Sequence, residues 1–176
     1  MSEALESLRI VGIAAALGAL LGLERELARK PAGLRTHVLV AVASAVLMLV
    51  GSGMAERFAR EQDAVRVTSD PLRVMEAIVV GISFLGAGTI IHAGRRVEGL
   101  TTAASILVTA AVGLAVAAGD VWFAAALSAG VVVLLVVLGR VEHWLGTDEP
   151  SNAEQRAVGA ERAASADLRE RPASRT

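Results

Sequence analysis

The sequence predicts an all-α polytopic membrane protein: a bundle of about five transmembrane helices followed by a polar, disordered C-terminal tail. Three observations carry that reading. Hydrophobic residues make up 54% of the 176, and the mean hydropathy is +0.57, more apolar side chain than a soluble domain of this size buries. The net charge of -1 hides a strong pattern, because charged residues fall into blocks separated by apolar runs. Finally, five of those runs approach the roughly 20 residues that a helix needs to cross a bilayer.

The first run extends from Ile10 to Leu23, lengthened by Leu5, Leu8 and Leu27. The second is Val38 to Met54, and the third is Ala77 to Ala93 with its helix starting near Pro71. Leu100 to Ala118 and Val121 to Gly139 complete the set. Only Gly119 and Asp120 separate the last two, so they form an antiparallel hairpin, each satisfying its own backbone hydrogen bonds in lipid. From Thr147 the chain turns polar, with Pro150 and Pro172 and few large apolar side chains. Residues 1–146 therefore read as the transmembrane domain and 147–176 as the tail.

Lys and Arg favour alternate loops: Arg25, Arg29, Lys30 and Arg35 stand in the first, Arg95 and Arg96 in the third, and Arg140 opens the tail, while the opposite side has Arg9 and, in the second loop, Arg57, Arg60, Arg66 and Arg73 diluted by Glu56, Glu61, Asp63 and Asp70. That excess predicts an N-terminus outside and a C-terminus in the cytoplasm. Glu3 and Glu6 stand where a cleaved signal would carry a basic cluster, so no signal peptide is expected. The absence of cysteine excludes disulfides and thiolate metal sites.

Helices in lipid associate through small residues that admit close backbone approach. Ala14, Gly18 and Gly22 make one such stripe, and Ser105, Thr109, Gly113 and Ala117 another. The third helix carries Ala77, Gly81 and Gly88 on one face and Ser83 with Ala87 on another, which predicts a central position for it. A shift of 66 residues also superposes Gly22, Arg29, Lys30, Gly33, Leu34, Thr36 and Gly53 on Gly88, Arg95, Arg96, Gly99, Leu100, Thr102 and Gly119. The match reads either as a parallel hairpin repeat or as coincidence from basic turns and glycine punctuation. In each turn a threonine is placed to cap the following helix, whose N-terminus, with the nearby arginines, offers a place for an anion.

Asp70-Pro71 reads as an N-cap and first helical position, and Arg73 and Glu76 are spaced to pair on one face. Asp70 and Glu76, with a carboxylate from elsewhere, are the candidate metal ligands, although acidic residues this scattered match no coordination spacing. His37, His92 and His143 each stand alone, and there is no nucleophile signature or phosphate-binding glycine loop. The reading is of a protein that is not an enzyme, with no cofactor and no nucleic-acid partner.

The strings GLERELARKPAGLRTHVLV (Gly22 to Val40), DPLRVMEAIVVGISFLGAGTI (Asp70 to Ile90) and VEGLTTAAS (Val97 to Ser105) resemble the signature of the MgtC/SapB family of bacterial inner-membrane proteins. The resemblance covers about the first 145 residues. Its motif falls on Glu24, Arg25, Glu26, Gly33, Leu34, Arg35, Thr36 and His37. It continues on Asp70, Pro71, Arg73, Gly81, Phe84, Leu85, Gly86 and Gly88, then on Gly99, Leu100, Thr101 and Thr102. Ser83 replaces a glycine usual in the family, and Glu76-Ala77 replaces a stretch that commonly ends in glutamine. The soluble C-terminal domain of many members has no counterpart in the chain, which reads as a short form.

The resemblance implies a five-helix inner-membrane protein linked to magnesium limitation and, in pathogens, to survival inside host cells. Some members regulate other membrane proteins, including the F-type ATP synthase. Two function classes follow: a regulatory protein that binds a membrane partner or its own copies, and an oligomeric transporter or channel for magnesium or another small ion. The scarcity of ionisable residues at mid-membrane depth favours the first.

Overall fold

A computed structural model describes residues 2–61, 71–93, 96–145 and 160. Five helices follow one another: α1 (Ser2–Leu27), α2 (Leu34–Glu61), α3 (Pro71–Ala87), α4 (Leu100–Ala117) and α5 (Val121–Trp144). Between α3 and α4, strands β1 (Ile91–Ala93) and β2 (Arg96–Glu98) pair antiparallel, with His92 opposite Val97. The chain divides into two compact units, residues 1–136 and 137–176; in the second, the end of α5 and Leu145 are described, together with residue 160.

Among the described residues four helices are long and apolar enough to cross a membrane: Glu3–Leu27, Leu34–Arg57, Leu100–Ala117 and Val121–Val141. α3 is a fifth apolar helix of 17 residues. The run Ala77 to Ala93 is therefore not one helix. α3 closes at this point: Gly88 N–H donates to Phe84 O, Thr89 N–H to Gly86 O, and the Thr89 hydroxyl returns to Gly86 O at 2.7 Å. Ile91 to Ala93 leave as β1.

Turns are built by backbone hydrogen bonds. Past α4, Gly119 N–H donates to Val116 O and Asp120 N–H to Ala115 O while Gly119 takes φ 94°, a Schellman ending that leads the chain into α5. The end of α1 repeats it with Arg29 N–H to Glu26 O and Lys30 N–H to Arg25 O. Here the left-handed position, φ 54°, is held by Arg29, where glycine would be unstrained.

The core of the first unit lies where α1, α2 and α4 meet. Ala14 and Leu21 pack with Ala41, Ala45, Val112 and Val116, and Ala124 of α5 joins them. A second cluster joins Ala32, Val40, Ile106 and Ala110, with Ile82 of α3 against it. The α1 stripe of small residues is buried as its spacing predicts: a Cβ on Gly18 would stand 2.7 Å from Ala41 Cβ and 2.8 Å from His37 O. On α4, Ser105, Thr109 and Gly113 are buried together.

The central helix is α4, with nine buried residues, and not α3. α3 buries Ile78 and Gly86 and leaves Gly81 facing open space, because its small residues spread round the helix instead of forming one seam. The 66-residue match does not carry equal structure either. α1 continues through Leu27, five residues beyond Gly22, whereas α3 stops at Ala87, before Gly88.

Candidate functional site

The motif residues of α1, α2 and α4 converge on one buried polar junction. Gly22 brings α1 onto the start of α2; a Cβ there would lie 2.7 Å from Leu34 Cα and 3.0 Å from His37 Cβ. One turn further, Arg25 is 3% exposed and lies against Glu24, its Nε donating to Oε2 at 2.6 Å and its Nη2 to Oε1 at 3.0 Å. Adjacent helical side chains do not ordinarily face each other, so this fork draws two neighbours together and neutralises a charge held inside the apolar bundle. Arg25 Nη1 is buried without a hydrogen-bond partner among the described residues, as is Ser44 Oγ.

His37 is fully buried at the same level. Its Nδ1 stands 2.9 Å from Gly33 O, which accepts only, so Nδ1 carries the hydrogen. Nε2 faces Ser105 Oγ at 3.2 Å, and that hydroxyl also lies 2.8 Å from Thr102 O. A single hydroxyl proton thus serves two acceptors, the imidazole of α2 and a carbonyl of α4.

Neither helix start is capped by a threonine. Leu34 N–H donates to Glu26 Oε2 at 3.0 Å, so a carboxylate from α1 reaches across the turn to serve α2. α4 begins at Gly99, which takes φ 90° and offers no side-chain cap, leaving Thr101 exposed and Thr102 buried. The sequence pointed to anion binding at the first turn; in the structure Glu26 already supplies the negative charge there. Arg29, Lys30 and Arg35 form an exposed basic rim around the junction, and Thr36 is half-buried.

The other motif residues lie elsewhere. Gly86 is buried against Ala103 of α4, its would-be Cβ at 3.6 Å from the Ala103 Cβ, whereas Gly81 and Gly88 are exposed. Arg73 and Glu76 are exposed on α3, and among the described residues neither takes part in an ion pair. Asp70 lies outside the described residues, as does Arg95. No group of three or more His, Asp or Glu side chains suited to a metal occurs among the described residues. Ser105 is the residue that motif reasoning left out of the site. Its signal was its place heading the α4 small-residue stripe, but its partner is 68 positions away and no local spacing points to His37.

Apolar helices closed on a buried polar junction at one end define an integral membrane protein of the multi-helix kind. The model of the MgtC family matches residues 11–144, and the chain belongs to that family. Three relatives illustrate it. The chain is 42% identical over 113 residues to the "Putative magnesium transporter YhiD" of Escherichia coli, covering 64% of this chain and 50% of that protein. With "Protein SapB" of Bacillus subtilis it shares 43% over 110 residues, 62% of this chain and 46% of the relative. With "Protein MgtC" of Brucella abortus it shares 39% over 122 residues, 69% and 47%. The chain thus spans about half the length of the curated relatives it matches. No solved structure matches it.

Proposed function

We propose that the chain is a regulatory protein of the bacterial inner membrane, without enzymatic activity, that acts in magnesium limitation by contact with a membrane partner. One observation supports this most: the junction of α1, α2 and α4 is closed at backbone distance, with Glu24 and Arg25 paired inward, while Arg29, Lys30 and Arg35 are turned outward. Such an arrangement holds a basic surface rigidly for docking. With the N-terminus outside, that surface faces the cytoplasm. The family resemblance makes the F-type ATP synthase a partner to test first, and it carries the link to survival in host cells for a pathogen that encodes such a chain.

If the basic rim docks a partner, Arg35→Ala lowers co-purification of that partner while leaving membrane insertion unchanged. Undiminished recovery of every partner refutes the docking role. A second reading, an oligomeric transporter for magnesium or another small ion, is favoured by the name of the Escherichia coli relative. Purified protein in liposomes separates the two: the regulatory reading expects magnesium entry no faster than in empty vesicles. Reproducible flux that Glu76→Ala abolishes would establish transport instead.

A further inference from the structure

We propose that the outward face of α3 is an interface between two copies of this chain. The helix packs inward through Ile78 and Gly86. Its opposite side meets none of the described residues: Val80 is 63% and Phe84 83% exposed, and Arg73, Glu76, Ser83 and Ala87 are exposed with them. Lipid accounts for Val80 and Phe84 but leaves the two charges without partners. Glu76 stands at the sixth position of a helix that is apolar apart from it, Arg73 and Ser83, and no described side chain of its own copy pairs with it.

The order of residues around the helix identifies the occupant. With successive residues about 100° apart, Arg73 falls about 20° to one side of Val80 and Glu76 about 40° to the other. Phe84 falls on the Arg73 side, and Ser83 and Ala87 on the Glu76 side. A two-fold axis along the membrane normal sets two α3 helices parallel and lays each flank against the opposite flank of its mate. Arg73 of each copy then meets Glu76 of the other, so two ion pairs form, each spanning an axial rise of about 4.5 Å that both side chains bridge. Below them the Phe84 ring lies over the small Ser83 and Ala87 of the mate. Val80 and Ala87, seven residues apart, run along the seam as in a parallel helix pair. The face is complementary to itself in charge and in size, which a second copy satisfies without any further protein.

The absence of cysteine makes the test direct. Val80→Cys and Ala87→Cys are introduced singly into the full chain, with Leu134→Cys on α5, 53% exposed, for comparison. Oxidation in native membranes is expected to give disulfide-linked dimers at positions 80 and 87, roughly tenfold stronger than at 134. No dimer at 80 and 87, or equal dimer at all three, overturns the proposal. In the Val80→Cys background, Arg73→Glu and Glu76→Arg each lower the dimer yield roughly tenfold, and R73E with E76R together restores it. A double variant as weak as the single ones refutes the crossed pairing, and restoration also excludes misfolding as the cause of the losses. The basic rim is untouched by these changes, so partner docking there and pairing of copies here fail independently.

Discussion

Gly22→Ala puts the closed junction at most direct risk. The new Cβ would stand 2.7 Å from Leu34 Cα, 3.1 Å from Leu34 O and 3.0 Å from His37 Cβ, where ordinary contact begins at 3.4 Å. Two of these neighbours are backbone, so no rotamer change relieves them, and α1 has to withdraw from α2 by about 0.7 Å. Overpacking of this kind costs about 1–3 kcal/mol, against a gain of about 0.5–1 kcal/mol for alanine over glycine inside a helix. The expected net loss is about 1–2 kcal/mol, a fall of roughly 5- to 30-fold in the folding equilibrium. Gly130→Ala is the matched comparison, since nothing lies within 4 Å of its would-be Cβ. It is expected to be neutral or stabilising by up to about 1 kcal/mol. Both variants are measured by reversible denaturation in mixed micelles. A Gly22→Ala protein as stable as Gly130→Ala would refute the claim that backbone contact at Gly22 sets the junction.

Three further outcomes test the same region. Glu24→Gln leaves the Arg25 guanidinium buried and uncompensated and is expected to cost about 3–5 kcal/mol in the same unfolding assay, with recovery of half or more in the Glu24→Leu, Arg25→Met double variant. A neutral Glu24→Gln would show that the pair is solvated. Ser105→Ala strips His37 Nε2 of its one partner and should destabilise by about 1–3 kcal/mol, whereas Thr101→Ala, at an exposed position, should change stability by less than about 0.5 kcal/mol. Arg29→Gly relieves the left-handed backbone and should stabilise by about 1 kcal/mol; a loss of stability would mean that the Arg29 side chain does more than occupy the turn.

Much of this architecture was legible in the residues because the constraints behind it are local or compositional. Apolar runs declare their solvent whatever they pack against, and Gly119-Asp120 leaves chain enough only for a tight turn between two helices. Ala14, Gly18 and Gly22 at intervals of four mark the face on which α1 must meet a neighbour.

Other features depended on which surfaces meet. Thr36 and Thr102 carry the chemistry of caps, yet Glu26 serves one helix start and Gly99 opens the other, since a cap is decided by which side chain the neighbouring helix delivers. The glycines of α3 matched the packing pattern as well as those of α1, but only Gly86 finds a helix, at Ala103. What the sequence determined by itself is the solvent, the order of the helices and the packing face of α1, all set by composition and near-neighbour geometry. What the tertiary structure alone decided is that α4 lies at the centre, that α3 keeps an open face, and that His37 reaches Ser105. Those outcomes depend on contacts between residues far apart in the chain, and a helix that is small-sided all round does not say which of its sides will be covered.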